Sequence, residues 1–251
     1  MNLSERMKTY ESSSRLVLPH RMPVIVRVDG KAFHTWTNDL KPFDVNFIGA
    51  MNQTAGILCE EIQGAVFAYV QSDEISVLIH GYKKFESTPW FGNQLQKIVS
   101  VAASVASATL TIEAFEFRRR FKPAFFDARA FVVPENDVCN YFLWRQQDAI
   151  RNSIQSHART IFSHKQCNKK TGQQLKEMCS QAGSPWESLS LDKRIGRAAE
   201  AKPRYTYVGG EDGKPRMGIP SDRLYWIVEA APSFNEESAR YHIKSLLESQ
   251  Q

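Results

Sequence analysis

Two apolar runs of the sequence are separated by a short polar break that carries adjacent carboxylates, and a third carboxylate ends another apolar run. Asp73 and Glu74 lie between the runs 66–70 and 75–79, whereas Asp29 closes the run that starts at residue 23. Acids are common in turns because they are solvated and bond their own backbone, so a turn explains Asp73 and Glu74 as well as chemistry does. Carboxylates that converge at one sheet edge, however, can hold two Mg²⁺ ions about 4 Å apart, one at the attacking oxygen and one at the leaving phosphate.

Basic residues follow the first of these acids closely. Lys31 comes directly after Asp29 and Gly30, and Lys41 follows in the next segment. Phosphoryl transfer needs little beyond positioning and positive charge, so these lysines are placed to bind a triphosphate. The backbone amides of the loop 30–33 are a further candidate for binding phosphate oxygens.

The apolar runs predict the elements that position the acids. The runs on either side of Asp73 are short, rich in Val, Ile and aromatic residues, and bounded by Gly64 and Gly81, which predicts a β-hairpin with the acids at its tip. The run 23–30 is apolar almost throughout, as expected of a strand that is buried on both faces. A helix predicted over 47–62 connects the two, and such a crossover makes the strands parallel. Parallel strands end on the same side of a sheet, so we expect Asp29 and Asp73 to meet.

The pattern continues with a helix over 93–117 and a strand over 125–133. The resulting order β-α-β-β-α-β predicts an α+β fold with a ferredoxin-like split unit, the arrangement of polymerase palms and of some nucleotide cyclases. We expect a palm catalytic domain over 1–134 with helices on the sheet. Residues 135–251 form a C-terminal portion packed on the palm, with helices, a basic segment and a hairpin whose strands are predicted at 204–208 and 224–230.

Five blocks of the sequence occur in the order seen in the tRNA-His guanylyltransferase family, and the chain resembles its bacterial and phage-type guanylyltransferase-like proteins most. The blocks are residues 27–34, 41–44, 71–74, 126–129 and 144–148. The resemblance implies a Mg²⁺-dependent nucleotidyltransferase that adds nucleotides, GTP first among them, to the 5′ end of tRNA in the 3′ to 5′ direction. It also implies GTP and ATP as substrates, two Mg²⁺ ions as cofactor, and a homo-oligomer, typically a tetramer.

The same resemblance implies roles for individual residues. Asp29 and Asp73, with the carbonyl of Gly30, match the metal ligands, and Glu74 either helps to bind metal or faces water beside the turn. The nucleotide-binding positions are Asp29, Gly30, Lys31, Ala32, Phe33, His34, Lys41, Asp44, Ser72, Asp73, Lys97, Arg129 and Asn152. Two alternatives stay open, since His34 also fits a solvated loop histidine and Arg129 also fits an ion-pair partner of Asp127.

The chain departs from the eukaryotic members at one place. Those proteins carry a His-Ile-Asn-Asn block after the segment 144–148, whereas this chain reads Ile150-Arg151-Asn152-Ser153. The difference argues against strict selection of tRNA-His. Residues 152–154 and 163–165 resemble the bacterial and phage-type proteins, and this resemblance implies either guanylylation of tRNA-His or repair of 5′-truncated tRNAs. Arg145, Asp148 and Asn152 are carried over as site candidates, and a helix with one buried face explains them equally well.

Composition limits the partners and the location. The formal net charge is +5, and the segment 151–205 holds eleven Lys or Arg against four Asp or Glu, which suits a phosphate backbone. We expect no segment that spans a membrane and no signal peptide, and therefore a cytoplasmic protein. The four cysteines lack CxxC spacing, so neither disulfides nor a zinc site built from His157, His164, Cys167 and Cys179 is favoured.

Two other functions remain compatible with the sequence. A palm-type nucleotide cyclase shares the split unit and the acids but has no use for the basic segment 151–205. A noncatalytic RNA-binding protein explains the charge and leaves the carboxylates without a role. The fold analogy by itself cannot choose among these functions.

Overall fold

A six-stranded antiparallel sheet carries the fold, with the strand order β4-β1-β3-β2-β5-β6. The structure is a computed structural model that describes the backbone of residues 1–209 and 215–248, and the side chains of these residues except 204–224. The strands are β1 Val24–Gly30, β2 Ala65–Gln71, β3 Glu74–Ile79, β4 Phe126–Val132, β5 Arg197–Gly209 and β6 Pro215–Ala230.

Nine α-helices are present in the described residues. They are α1 Leu3–Ser12, α2 Phe33–Trp36, α3 Val45–Glu61, α4 Leu95–Arg118, α5 Glu135–Ile161, α6 His164–Cys167, α7 Gly172–Gln181, α8 Leu191–Ile195 and α9 Glu237–Ser245. The predicted helices over 47–62 and 93–117 are therefore α3 and α4, each shifted by one or two residues. Asp44 sets the start of α3, because its carboxylate accepts the amides of Asn46 and Phe47.

Helices cover both faces of the sheet. On one face Val24, Val26 and Val28 of β1 pack in a cluster to which α3 and α4 contribute. On the other face Ile25 packs in a second cluster with side chains of α5 and α9. Because successive side chains of a strand point to opposite faces, an apolar strand between two helical layers is buried on both, as predicted for 23–30.

The strands that carry the acids are arranged as the crossover argument predicts. β1 and β2 are each antiparallel to β3, which lies between them, so β1 and β2 run parallel to each other. Asp29 lies opposite Glu74 in the β1–β3 ladder and opposite Asp127 in the β1–β4 ladder. The ends of β1 and β2 and the start of β3 therefore share one edge of the sheet.

The C-terminal strands are longer than predicted and join the same sheet. Arg197, Ala198 and Ala199 at the start of β5 pair with β2, which the sequence did not indicate because alanine has a low strand propensity. The sheet is thus continuous across the predicted boundary at residue 134. Of the predicted loop 209–216, residues 210–214 lie outside the described residues and the flanking ones belong to β5 and β6.

The expectation that no segment is long and apolar enough to span a bilayer is wrong by length and composition, since α4 meets both criteria. The core helix of a globular protein passes the same test. Ile98, Ala102, Ala106, Leu110 and Ala114 on one face of α4 are buried in the cluster shared with the sheet.

Gly196 yields a stability prediction, because its conformation (φ 84°, ψ −171°) is essentially restricted to glycine and a Cβ there would lie 2.5 Å from Tyr69 Oη. Tyr69 is buried and its hydroxyl donates to the carbonyl of Ile195 at 2.7 Å, so the ring has little room to move. Gly196→Ala should lower the free energy of unfolding by about 2 to 3 kcal/mol, measured by urea denaturation.

The matched control is Gly183→Ala. Gly183 also has a positive φ of 77°, but no atom lies within 4 Å of the added Cβ. This variant should lose only about 1 kcal/mol from backbone strain. Equal losses in both variants would contradict the proposed conflict with Tyr69.

Candidate functional site

Acidic side chains gather at the sheet edge where β1 ends and the β2–β3 turn begins. The amide of Gly30 donates to the carbonyl of Asp73 at 3.2 Å, which ties the end of β1 to the turn. Burial raises the pKa of Asp29, as do the neighbouring carboxylates of Glu74 and Asp127, while Arg27 and Arg129 oppose the shift. The edge therefore concentrates negative charge in a partly desolvated place.

Asp73 is the most perturbed acid of this group. Burial raises its pKa to about 6, a hydrogen bond from Ser72 and one from its own backbone oppose the shift, and the charges of Asp29 and Glu74 add to it. Ser72 has a positive φ of 46°, so the turn holds a strained residue beside the acid. A carboxylate whose charge is disfavoured by burial and by like charges is suited to bind a cation.

Glu74 has a different role from the two predicted for it. Its two carboxylate oxygens accept Nε and Nη2 of Arg145 at 2.7 and 2.8 Å, and Oε1 also lies 3.3 Å from Nε2 of Gln71. The side chain is buried, so it does not face water beside the turn. Both oxygens accept hydrogen bonds from protein groups, which gives Glu74 a structural role. Burial disfavours the charge of Arg145, but the hydrogen bonds that it donates to Glu74 outweigh this effect and raise the arginine pKa.

A cavity of about 570 Å³ opens next to Asp73, within the usual size range for small-molecule sites. The first wall, residues 33–73, comes from α2, the loop that follows it, the start of α3 and the β2–β3 turn. The second wall, residues 149–197, comes from α5, α8 and the start of β5. The predicted nucleotide-binding residues that line the cavity are Phe33, His34, Lys41, Asp44, Ser72, Asp73 and Asn152.

Several of these residues also have structural roles that narrow what they offer a ligand. The amide of Lys31 donates to the carbonyl of Phe125, and that of Gly30 is used by Asp73, so neither is free for a phosphate. The ring of Phe33 packs on Trp36 and other aromatic rings rather than pointing into solvent. His34, by contrast, is exposed on the cavity wall.

Two predicted phosphate contacts, Lys97 and Arg129, do not line the cavity. Lys97 is in the first turn of α4, beside the ring of Phe91, whereas the part of α4 that reaches the acidic edge is Ser107, whose hydroxyl accepts the amide of Phe126. Ten helical residues, about 15 Å, separate Lys97 from that position, so within one chain Lys97 lies away from the acidic edge. Arg129 lies 3.8 Å from Asp127 in an exposed ion pair outside the cavity, as its alternative interpretation held.

The remaining predicted positions lie beside the cavity or on its rim. Asp29, Gly30, Lys31 and Ala32 lead from β1 into the cavity wall without lining it, and Ala32 has a left-handed φ of 54°. Asp148 bridges Arg145 and Arg151 at 2.8 and 2.7 Å, which places both predicted candidates of the segment 144–148 in an ion-pair network.

Sequence reasoning missed part of the cavity as individual residues. Gln155, Ser156, Arg159, Asp192, Lys193 and Arg197 line it from α5, α8 and β5. The sequence indicated these residues only through the positive charge of the segment 151–205. That charge does not show which basic side chains face a cavity. In the described residues no group of three or more His, Cys, Asp or Glu side chains gathers to hold a metal, and His157 instead bonds the carbonyl of Ser184 at 2.9 Å.

Comparison with known proteins gives a consistent result. A sequence model of tRNAHis guanylyltransferase matches residues 4–134, slightly more than half of the chain. The human protein "Probable tRNA(His) guanylyltransferase" is 33% identical over 138 residues, which is 52% of this chain and 45% of that protein. The tRNA(His) guanylyltransferase of Schizosaccharomyces pombe is 32% identical over 157 residues, 60% of this chain and 57% of that protein. The chain spans about half the length of the curated relatives it matches.

Solved structures extend the similarity over the whole chain. A bacterial tRNA(His) guanylyltransferase-like protein in complex with ATP is 36% identical, with a TM-score of 0.85 over 98% of this chain and 99% of that one. A bacterial guanylyltransferase-like protein in complex with GTP is 35% identical, with a TM-score of 0.76 over 98% of both chains. The Saccharomyces cerevisiae enzyme, 17% identical with a TM-score of 0.64 over 85% of this chain and 96% of that one, shares the fold.

The ion pair of Glu74 gives a prediction for stability. Glu74→Gln leaves Arg145 buried with only Asp148 as a charged partner among the described residues, and breaking a buried pair typically costs about 3 to 5 kcal/mol. Glu187→Gln breaks the exposed pair with Lys176 and should cost less than about 1 kcal/mol. Urea denaturation measures both, and a loss for Glu74→Gln no larger than the control would rule out this structural role.

The raised pKa of Asp73 gives a prediction for pH dependence. Its folded-state pKa of about 6 lies above the unfolded-state value of about 4, so the folded state binds more protons between these values. The contribution of Asp73 to the free energy of unfolding therefore falls as the pH rises, mostly between pH 4 and 6, and the total loss between pH 3 and 7 is about 3 kcal/mol.

Asp73→Asn isolates this contribution, because asparagine resembles the protonated acid. The variant should equal the wild type in stability below pH 4 and exceed it above pH 6, as measured by urea denaturation across this range. Because Mg²⁺ binding would favour the charged form, added Mg²⁺ should narrow the gap at pH 7.5. A gap that is constant from pH 4 to 8 would show that Asp73 titrates normally.

Proposed function

Because the chain belongs to the tRNAHis guanylyltransferase family, we propose that it is a nucleotidyltransferase that adds nucleotides, GTP first among them, to the 5′ end of tRNA in the 3′ to 5′ direction. The observation that carries this proposal is the acidic edge of Asp29 and Asp73 beside a cavity of nucleotide size. The relatives include a tRNA(His) guanylyltransferase, and two similar structures are complexes with ATP and GTP, which supports the same substrates.

The acidic edge fits divalent metal ions. Burial and, to a smaller extent, neighbouring like charges raise the pKa values of Asp29 and Asp73, and a bound cation would favour the charged form of both. We assign Asp29, Asp73 and the carbonyl of Gly30 as ligands of two Mg²⁺ ions, with water and phosphate oxygens completing the coordination, as is usual for this ion. When bound, the ions supply charge stabilisation for the transferred phosphate and activation of the attacking hydroxyl.

The protein's own residues position the reactants. The cavity would hold the incoming nucleotide, with Lys41 and Ser72 at its triphosphate, and Asp73 beside the reacting atoms. The 3′-hydroxyl of this nucleotide attacks the activated 5′ phosphate of the tRNA, forms the new P–O bond and expels the activating group. That group is pyrophosphate from a 5′ triphosphate or AMP from an adenylylated end.

We further propose that β1, α3, β2, β3, α4 and β4 are a ferredoxin-like polymerase palm. The sheet order β4-β1-β3-β2 with two helices on one face supports this assignment. The palm analogy explains why both acids are at one edge, since the first strand and the hairpin turn end together. A palm-type cyclase has the same acids, so RNA dependence decides between the two.

The basic segment 151–205 supports a tRNA partner. The described part of this segment forms the second half of α5, the helices α6 to α8 and the start of β5, and Arg159 is exposed at the cavity. The absence of the His-Ile-Asn-Asn block favours 5′-truncated tRNAs over full-length tRNA-His alone. We also propose a homo-oligomer, because α1 buries none of its side chains and exposes Leu3 and Met7.

The decisive experiment incubates full-length and 5′-truncated tRNAs with Mg²⁺ and labelled GTP or ATP. Wild-type protein should label the 5′ end, with the truncated tRNA labelled best, whereas Asp73→Ala should reduce the rate by at least about a hundredfold because a metal ligand is lost. Asp137→Ala, at an exposed acid on the first turn of α5, is the matched control and should label like the wild type.

Two outcomes would overturn the proposal. Cyclic nucleotide formed from GTP or ATP without RNA would favour the cyclase. Tight tRNA binding with no incorporation, with or without Mg²⁺, would favour a noncatalytic RNA-binding protein.

A further inference from the structure

A buried arginine forms part of the second wall of the cavity. Arg197 begins β5 and pairs with Val70 of β2, and only 5% of its surface is exposed. The other basic residues of the cavity differ from it, since Lys41 and Arg159 are exposed and Lys193 is half-buried. Arg197 is therefore the one fully buried cation of this cavity within the described residues.

The guanidinium of Arg197 has few partners in the protein. Nε donates to Oδ1 of Asn52 at 2.6 Å, and within the described residues its guanidinium makes no other hydrogen bond and no ion pair. Burial lowers its pKa to about 10, only partly offset by the charge of Asp192, so the group stays charged at neutral pH. The hydrogen-bond donors of a buried charge normally have acceptors. The terminal amino groups of Arg197 are therefore available to an acceptor on a ligand in the cavity.

The position of Arg197 favours a nucleobase as that ligand group. Val70, its partner in the ladder, precedes Asp73 by three residues, which separates Arg197 from the acidic edge by about 10 Å. A triphosphate held at the acidic edge thus leaves the base to extend toward Arg197. Phe47, Ile48 and Ala149 line the same cavity and offer apolar surface for a flat ring.

The N–H groups of a guanidinium can distinguish guanine from adenine. Its parallel N–H groups match two adjacent acceptors, and guanine presents O6 and N7 in that arrangement, whereas adenine presents an N6 donor beside N7. We propose that Arg197 is a specificity-determining residue that binds the O6 and N7 edge of guanine and so selects GTP over ATP at the incoming-nucleotide site. This inference rests on the proposed function and names the group that chooses its substrate.

Nucleotide analogues test the inference on the unaltered protein. Calorimetric titration with the Mg²⁺ complexes of GTP, ITP, 7-deaza-GTP, 2-aminopurine riboside triphosphate and ATP separates the contributions of O6, N7 and N2. ITP keeps O6 and N7 and should bind like GTP, while the other three should bind about tenfold more weakly. Equal affinity for GTP, 7-deaza-GTP and 2-aminopurine riboside triphosphate would overturn the inference.

Variants test whether Arg197 is the residue responsible. Arg197→Gln removes the charge and Arg197→Lys keeps it without the fork, and each should bring GTP affinity down to that of ATP while ATP affinity stays within about twofold. Lys193→Gln is the matched control, because it removes a cation of the same cavity and should weaken GTP and ATP by the same factor. Circular dichroism and urea denaturation verify that each variant folds, and the analogue series stands if one does not.

The outcomes separate this inference from the proposed function. Equal weakening of GTP, ATP and inorganic tripolyphosphate in Arg197→Gln, with Arg197→Lys unaffected, would mean a phosphate contact and overturn base selection. Wild-type protein that labels tRNA 5′ ends but binds GTP and ATP equally overturns the inference and leaves the proposed function intact. Wild-type protein that binds none of the nucleotides overturns both.

Discussion

The buried ion pair between Glu74 and Arg145 fixes the geometry on which the site depends, because it joins α5 to the hairpin that carries Asp73. A second polar contact, between Ser76 and Tyr141 at 2.8 Å, follows it along the same interface. Residues 74 and 76 share a face of β3, and residues 141 and 145 are one turn apart on α5, so the two contacts align the helix along the strand. Since α5 forms one wall of the cavity, this alignment also sets the cavity's width.

Such a pair is a costly way to join two elements. Removing a carboxylate and a guanidinium from water cancels much of their attraction, so an apolar contact of equal size would often stabilise the fold as well. The polar contact has a different consequence here. A helix held by apolar side chains alone can slide or rotate, whereas bidentate bonds to one carboxylate permit a single register. We interpret the pair as a device that trades stability for the placement of Asp73, the acid next to it.

Much of the fold could be predicted, because the hydrophobic periodicity separates strands from helices clearly. Only a few topologies are compatible with the resulting order of elements. The crossover argument located Asp29 and Asp73 at one sheet edge from apolar patterns alone. The position of a side chain along a helix was harder to predict. Lys97 has the charge that a phosphate contact needs, but it lies at the N-terminal end of α4, away from the acidic edge. Glu74 could not be assigned from sequence, because its partner Arg145 is 71 residues away and the pairing depends on how α5 packs. The start of β5 was missed for a similar reason, as its alanines gain strand structure only by pairing with β2.

Only one of the two walls of the cavity lies in the segment that the family model matches. The wall that carries Asp73 and His34 lies within residues 4–134, the segment matched by the family model. The second wall, residues 149–197, lies beyond that segment, yet the strand β5 at its end belongs to the same sheet. Under the proposed function, the first wall suffices for the chemistry, because metal and triphosphate would bind at the acidic edge. Recognition of a particular base or RNA end would fall to the second wall, where a buried arginine can alter selection without disturbing the acids. Short sequence blocks therefore sufficed to propose the reaction, whereas the proposal for substrate choice needed the packed structure.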